Sequence, residues 1–211
     1  MKQEIQQSRK KIYLASTSER RRILLNQIGI EFELLDFIYV NESIKKKLFE
    51  KPYQKELPIN YVKRIASKKA KKGWESLVNK NIQIRPVLAA DTCIEFKNKI
   101  IGKPKNFKDA ISILKSLSGQ THKVLTAVNI KYENLSFETI SKSEVIFSDI
   151  SDDELLDYCK LPEPYDKAGA YAIQGYAAKF IKNIRGSYSG IMGLPLYETN
   201  ILLKKIFEKF K

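Results

Sequence analysis

Apolar and polar positions along the chain switch repeatedly between a short-run and a helical pattern. "KIYLA" (Lys11 to Ala15) is an apolar run that stops at Ser16, Thr17 and Ser18, which predicts a buried strand running into a helix N-terminus. Leu24, Leu25 and Ile28 recur at helical spacing, with Ser16 or Ser18 as N-cap and Gly29 as the stop. "EFELLDF" predicts a second strand. Glu42 to Asn60 is polar, holds Pro52 and Pro58, and reads as a loop with room for a short helix. An amphipathic helix follows from Tyr61 to Leu77, with Val62, Ile65, Ala66, Ala70, Gly73 and Leu77 on one face.

"PVLAADTCIEF" then predicts a strand, and "KNKII" its hairpin partner. Asn106 caps a helix that places Ala110, Ile111, Leu114 and Leu117 inward and ends at Gly119. "HKVLTAVNIKYE" and "SKSEVIFSD" predict long antiparallel strands. Ser151 with Glu154 spells a capping box for a short helix. The segment after Pro195 is helical, with Leu202, Leu203, Ile206 and Phe207 as its apolar face. No linker, repeat or low-complexity tract interrupts this alternation, so one α/β layered domain over residues 1–211 is expected, with residues 1–10 as a polar extension.

Composition changes this picture little. A chain of 211 residues with 43% hydrophobic content carries enough apolar surface for a full core. No apolar run is long enough to span a bilayer, and the basic start "MKQEIQQSRKK" is not followed by the apolar stretch of a signal peptide. A cytoplasmic protein is expected, with Cys93 and Cys159 as free buried thiols. Charge matters more: 38 basic against 24 acidic residues give +14, which favours anionic partners without saying which. The lysines are scattered or in exposed-looking runs, as genomic base composition alone would produce. No nucleic-acid-binding signature accompanies them, so nucleic acid ranks last among partners.

The candidate chemistry sits where polar residues break the apolar pattern. "LASTSERRRILL" places Ser16, Thr17, Ser18, Arg20 and Arg21 at a helix N-terminus, where free N–H groups and guanidinium forks suit phosphate. Taken alone, the same residues also read as an ordinary N-cap with solvated arginines. Asp91 stands in an apolar strand, where an ionised carboxylate needs a partner. It should face away from Thr92, so both serve one pocket only if the strand ends or bends there. Lys69 falls in the middle of the apolar arc of its helix and needs an anion or a route outward. Lys103, in "GKPKN", returns from a hairpin that starts near Asp91. Glu42 can supply a metal oxygen together with Asp91. His122, the one histidine, reads as a hydrogen-bonded structural residue. Asp166 to Leu196 is crowded with Gly and Ala yet holds Asp166, Lys167, Gln174 and Arg185, as expected for the lining of a pocket approached closely by backbone.

Four of these segments, "LASTSERRRILL", "AADT" followed by "GKP", "LSGQTHKVLTAV" and "DKAGAYAIQG…GSYSGIMGLPL", run in order from about Ile12 to Leu203. Together they resemble the Maf family of nucleoside triphosphate pyrophosphatases. The resemblance implies an elongated α/β fold related to the inosine triphosphatase architecture, with a central cleft between two lobes. It implies hydrolysis of a nucleoside triphosphate to monophosphate and pyrophosphate with a divalent cation (Mg²⁺, Mn²⁺ or Co²⁺), Asp91 as general base, and a homodimer. Phosphate contacts fall to Ser16, Ser18, Arg21, Lys69 and Lys103, and metal contacts to Glu42 and Asp91. Arg20, Thr92 and Gln174 look like the set of the branch acting on dTTP and UTP; the 7-methyl-GTP branch has Trp, Gln and Glu there. Family members are also linked to septum formation, which leaves a catalytically weak nucleotide-binding regulator as the alternative. Two positions depart from the family pattern: Glu19 replaces a Pro, and Lys68 stands where many members have Glu.

Overall fold

The computed structural model describes residues 11–35 and 50–209. A seven-stranded mixed sheet runs through it in the order β2-β1-β3-β5-β6-β7, with β4 paired to β3 beside this path. The strands are β1 (Ile12–Leu14), β2 (Phe32–Leu34), β3 (Val87–Phe96), β4 (Lys99–Ile101), β5 (Thr121–Tyr132), β6 (Leu135–Phe147) and β7 (Ile181–Arg185). β1 pairs in parallel with β2 and β3, and the remaining pairings are antiparallel. The helices are α1 (Glu19–Gln27), α2 (Pro58–Asn79), α3 (Phe107–Leu117), α4 (Asp152–Cys159), α5 (Tyr188–Met192) and α6 (Leu196–Glu208).

The two faces of the sheet carry different helices, as the period-2 alternation of β3 dictates. Val87, Ala89 and Cys93 face α2, and pack with Ala70, Leu77, Val62 and Ala66. Leu88 and Ala90 face the other way, against Leu24 and Leu25 of α1 and Leu202, Leu203 and Ile206 of α6. A further core joins α3 and α4 to β5, β6 and the short turns after α4.

Most predicted elements are present, with adjusted ends. α2 starts three residues early because Pro58 occupies its first position, where a missing N–H costs nothing. Asn106 caps α3 through Asp109 N, and Ser151 with Glu154 forms the expected capping box on α4. Ser18 takes the N-cap position of α1 without a side-chain cap; Ser16 Oγ accepts the Ser18 N–H instead, at 3.2 Å. The end of the predicted second strand lies outside the described residues. β6 begins earlier than expected, at Leu135, and β7 was not anticipated. Both cysteines are free and buried, and burial pushes the Cys93 thiol up to about 12.

The pairing of β3 is interrupted on one side. β1 registers with β3 only at Val87 and Leu88, and β4 only at Ile94, Glu95 and Phe96. Between them, Ala89 to Cys93 have a registered strand partner on the β5 side alone among the described residues. The sheet is open along that edge.

Candidate active site

A cavity of about 420 Å³ opens at the unpaired edge of β3. Ser18, Arg20, Arg21, Lys69, Asp91, Thr92, Lys103 and Gln174 all line it. An adjoining hollow of similar volume is lined by Ser16, Thr17 and Ser18 with Arg20, Arg21, Lys69 and Lys103. The structure thus brings together every predicted site residue except Glu42, which lies outside the described residues.

Asp91 and Thr92 do point to opposite faces of β3. The strand neither ends nor bends between them, contrary to the expectation for one shared pocket. Its neighbour ends instead: with no strand alongside, both faces of the edge open into the same space.

On one face, Lys69 Nζ lies 2.7 Å from Asp91 Oδ1 and 2.8 Å from Glu50 Oε1. Burial pushes the Asp91 carboxyl above its ordinary range, against the pull of Lys69 and Arg21. Burial alone would lower the Lys69 ammonium, but Asp91 and Glu50 outweigh it and hold it above its usual value. Glu50 was not singled out from the sequence, because nothing distinguishes one glutamate in a polar stretch. Its placement comes from α2. Tyr61 Oη donates to the Glu50 carbonyl at 2.9 Å, and Arg64 ties the following segment through the Lys51 carbonyl and the Glu56 carboxylate.

On the other face, Thr92 Oγ1 sits 2.9 Å from Thr126 Oγ1, and Thr126 donates to the Gly190 carbonyl at 2.7 Å. Arg21 donates from Nη2 to Thr92 at 3.3 Å, from Nη1 to Ser16 Oγ at 3.1 Å and from Nε to the Gly193 carbonyl at 2.8 Å. It is a strut across the cleft. Gly193 holds its carbonyl there with φ +120°, a conformation that side chains disfavour. Arg20 reaches the Met192 carbonyl at 3.2 Å.

Gln174 stands in a turn closed by Gly175 N to the Ala172 carbonyl, at 3.1 Å. Glu163, also missed in the sequence, holds the far side of that turn. Its carboxylate accepts from Tyr176 N at 2.8 Å, Ala177 N at 3.3 Å and Tyr158 Oη at 2.9 Å. A Cβ on Gly175 would stand 2.1 Å from this carboxylate. Behind the cavity wall, His122 Nε2 lies 2.7 Å from Tyr171 Oη, and burial lowers the imidazole to about 4. It is a structural group, as expected.

The charged lining comprises Arg20, Arg21, Lys69, Lys103 and Lys167 against Glu50, Asp91 and Asp166. Cations are in excess, as a polyanionic guest needs. Burial alone would raise the Asp166 carboxyl, but Lys167, Lys103 and Arg20 hold it below the usual range. The two departures from the family pattern differ in place. Lys68 lies off the lining and binds Tyr53 Oη at 3.0 Å on the outer side of α2, whereas Glu19, paired with Arg22 one turn along α1, lines the adjoining hollow.

Residues 11–206 match the family described as Maf-like protein. The chain is 46% identical over 198 residues to a protein of Dechloromonas aromatica (strain RCB) named dTTP/UTP pyrophosphatase, covering 93% of this chain and 97% of that one. It is 49% identical over 194 residues to a protein of the same name from Aromatoleum aromaticum, covering 92% and 94%. A third such protein, from Nitrosomonas europaea, is 46% identical over 196 residues. With the motifs, the sheet and the cleft in agreement, this chain belongs to the Maf-like protein family.

Proposed function

We propose that this chain hydrolyses dTTP and UTP to the nucleoside monophosphate and pyrophosphate, in the cytoplasm, where these nucleotides are made and used. The observation that carries the reading is the buried Asp91–Lys69 pair, set at an unpaired strand edge in a cation-rich cavity. The names of the relatives support the substrate class.

The triphosphate is held by Ser16, Ser18, Arg21, Lys69 and Lys103, and the base lies toward Thr92 and Gln174. Asp91, made more basic by burial, takes a proton from a water as its oxygen forms a bond to the α-phosphorus. The bond from that phosphorus to the bridging oxygen breaks, and pyrophosphate leaves with the electron pair. Fixed cations around the phosphates stabilise the charge that develops, which is where most catalysis of such transfers arises.

The residues present fit a divalent cation. Asp91 and Glu50 already converge on one cationic position, the Lys69 ammonium, and offer the hard oxygen donors such an ion prefers. Among the described residues no cluster of three or more His, Cys, Asp or Glu is placed to hold a metal ion. When bound, Mg²⁺ or a similar ion supplies charge neutralisation on the phosphate oxygens.

The test is product analysis. The full chain is incubated with dTTP and Mg²⁺ and the products are resolved by ion exchange. Equal amounts of dTMP and pyrophosphate are expected; dTDP with orthophosphate overturns the mechanism.

A further inference from the structure

The hydroxyls behind the nucleoside side of the cleft have only one consistent arrangement of protons. Each threonine hydroxyl carries a single proton. Thr126 Oγ1 lies 2.7 Å from the Gly190 carbonyl oxygen, and two oxygens at that distance in a buried place need a proton between them. The carbonyl has none, so Thr126 supplies it. The 2.9 Å contact between Thr92 and Thr126 then has to be made with the proton of Thr92. Arg21 Nη2, a pure donor, takes up one lone pair of Thr92 at 3.3 Å. What Thr92 has left for a guest in the cleft is a lone pair.

We infer that Thr126 is a positioning residue for base selection: by directing the Thr92 proton into the protein, it makes Thr92 an acceptor that matches the N3–H of uracil or thymine and rejects the bare N3 of cytosine. The inference rests on the proposed pyrimidine triphosphate reading and deepens it. Gln174 alone does not make this choice. A primary amide offers both a donor and an acceptor, and a half-turn of its end group matches either base. The discriminating group has to have a fixed polarity, and Thr92 has one because Thr126 is anchored. Thr126 is fully buried and forms no part of the cavity lining, so it does not touch the guest itself.

The experiment compares kcat/KM for UTP and CTP in the wild type, Thr126→Val and Thr126→Ser. Valine keeps the shape but leaves the Thr92 proton free to turn toward the base. The UTP:CTP ratio is expected to fall about tenfold or more in Thr126→Val, mainly through a lower KM for CTP, the size of one hydrogen-bonding preference. Thr126→Ser, which restores the hydroxyl, is expected to restore the ratio. Should the valine variant fail to fold, Thr126→Ala carries the same expectation. An unchanged ratio in the hydroxyl-free variant, or an equal loss on both substrates, overturns the inference alone. A wild type that cleaves neither pyrimidine triphosphate overturns the proposed function and this inference with it.

Discussion

The two ends of the cleft are built by different means. At the end proposed for the phosphates, Asp91, Lys69 and Glu50 meet as an ion-paired cluster, brought together from β3, α2 and the segment before it. At the end proposed for the nucleoside, Gln174 and Thr92 are placed by single hydrogen bonds, backbone turns and small residues, with the Glu163 carboxylate behind one and the Thr126 hydroxyl behind the other. Charges removed from water are costly to leave unpaired, whereas neutral bonds each contribute modestly. The phosphate end should therefore govern turnover and stability, and the nucleoside end should govern substrate choice.

The largest expected effect bears on turnover. Asp91→Asn should lower kcat by about 10²- to 10⁴-fold with little change in KM, as loss of a general base does. Steady-state kinetics that showed near-normal turnover would remove Asp91 as base and erase the contrast. Lys69→Met comes next, because it strands Asp91 without its principal partner. A loss of about 3–5 kcal/mol in urea unfolding is expected, and the double variant Lys69→Met/Asp91→Leu should recover much of it. If the single and double variants unfold alike, the pair is not an electrostatic unit.

A third effect, in the core behind the cavity wall, bounds the contrast in stability and is read through pH. His122 has a folded pKa of about 4, below the roughly 6.5 of an unfolded histidine. Between those values the unfolded chain binds more protons, so this contribution is complete above pH 6.5 and is lost as pH falls toward 4. It amounts to about 3 kcal/mol. Denaturation across that window should show a steeper fall in the wild type than in His122→Gln; identical slopes would contradict it. The smallest effect is Glu163→Gln, expected to raise KM for UTP about tenfold while leaving inhibition by inorganic tripolyphosphate unchanged. A parallel loss in both would mean that the two ends are not separable.

The same division explains what could be read in the sequence. Lys69 and Asp91 were legible because a charge in an apolar stripe has no ordinary reason to be there. Most elements were legible from their periods and caps. The start of α2 was signalled by Pro58 but passed over because the preceding stretch is so polar. β7, "IKNIR", hid because a short strand at the rim of a sheet with mostly polar positions carries little periodic signal. Glu50 and Glu163 hid for another reason. Each has a role only through a partner distant in the chain, and no local pattern records such a meeting. Likewise Arg21 was legible as a cation suited to phosphate by its type and place, but its work as a strut to Gly193 and Thr92 appears only in three dimensions.

The break in the sheet beside β3 has a consequence for how such a cleft can be resized. Its mouth is bounded by the last registered residue of β1 and the last of β4, so its width is counted in residues, not adjusted continuously. From Leu88 to Ile94 that is roughly 20 Å of strand at about 3.3 Å per residue. Extending the pairing of β1 or β4 along β3 would narrow the aperture by about 3.3 Å per residue, each added residue presenting its side chain on the face opposite to the one before. The extent of strand pairing thus sets the length of open edge, independently of the residues that line the cleft.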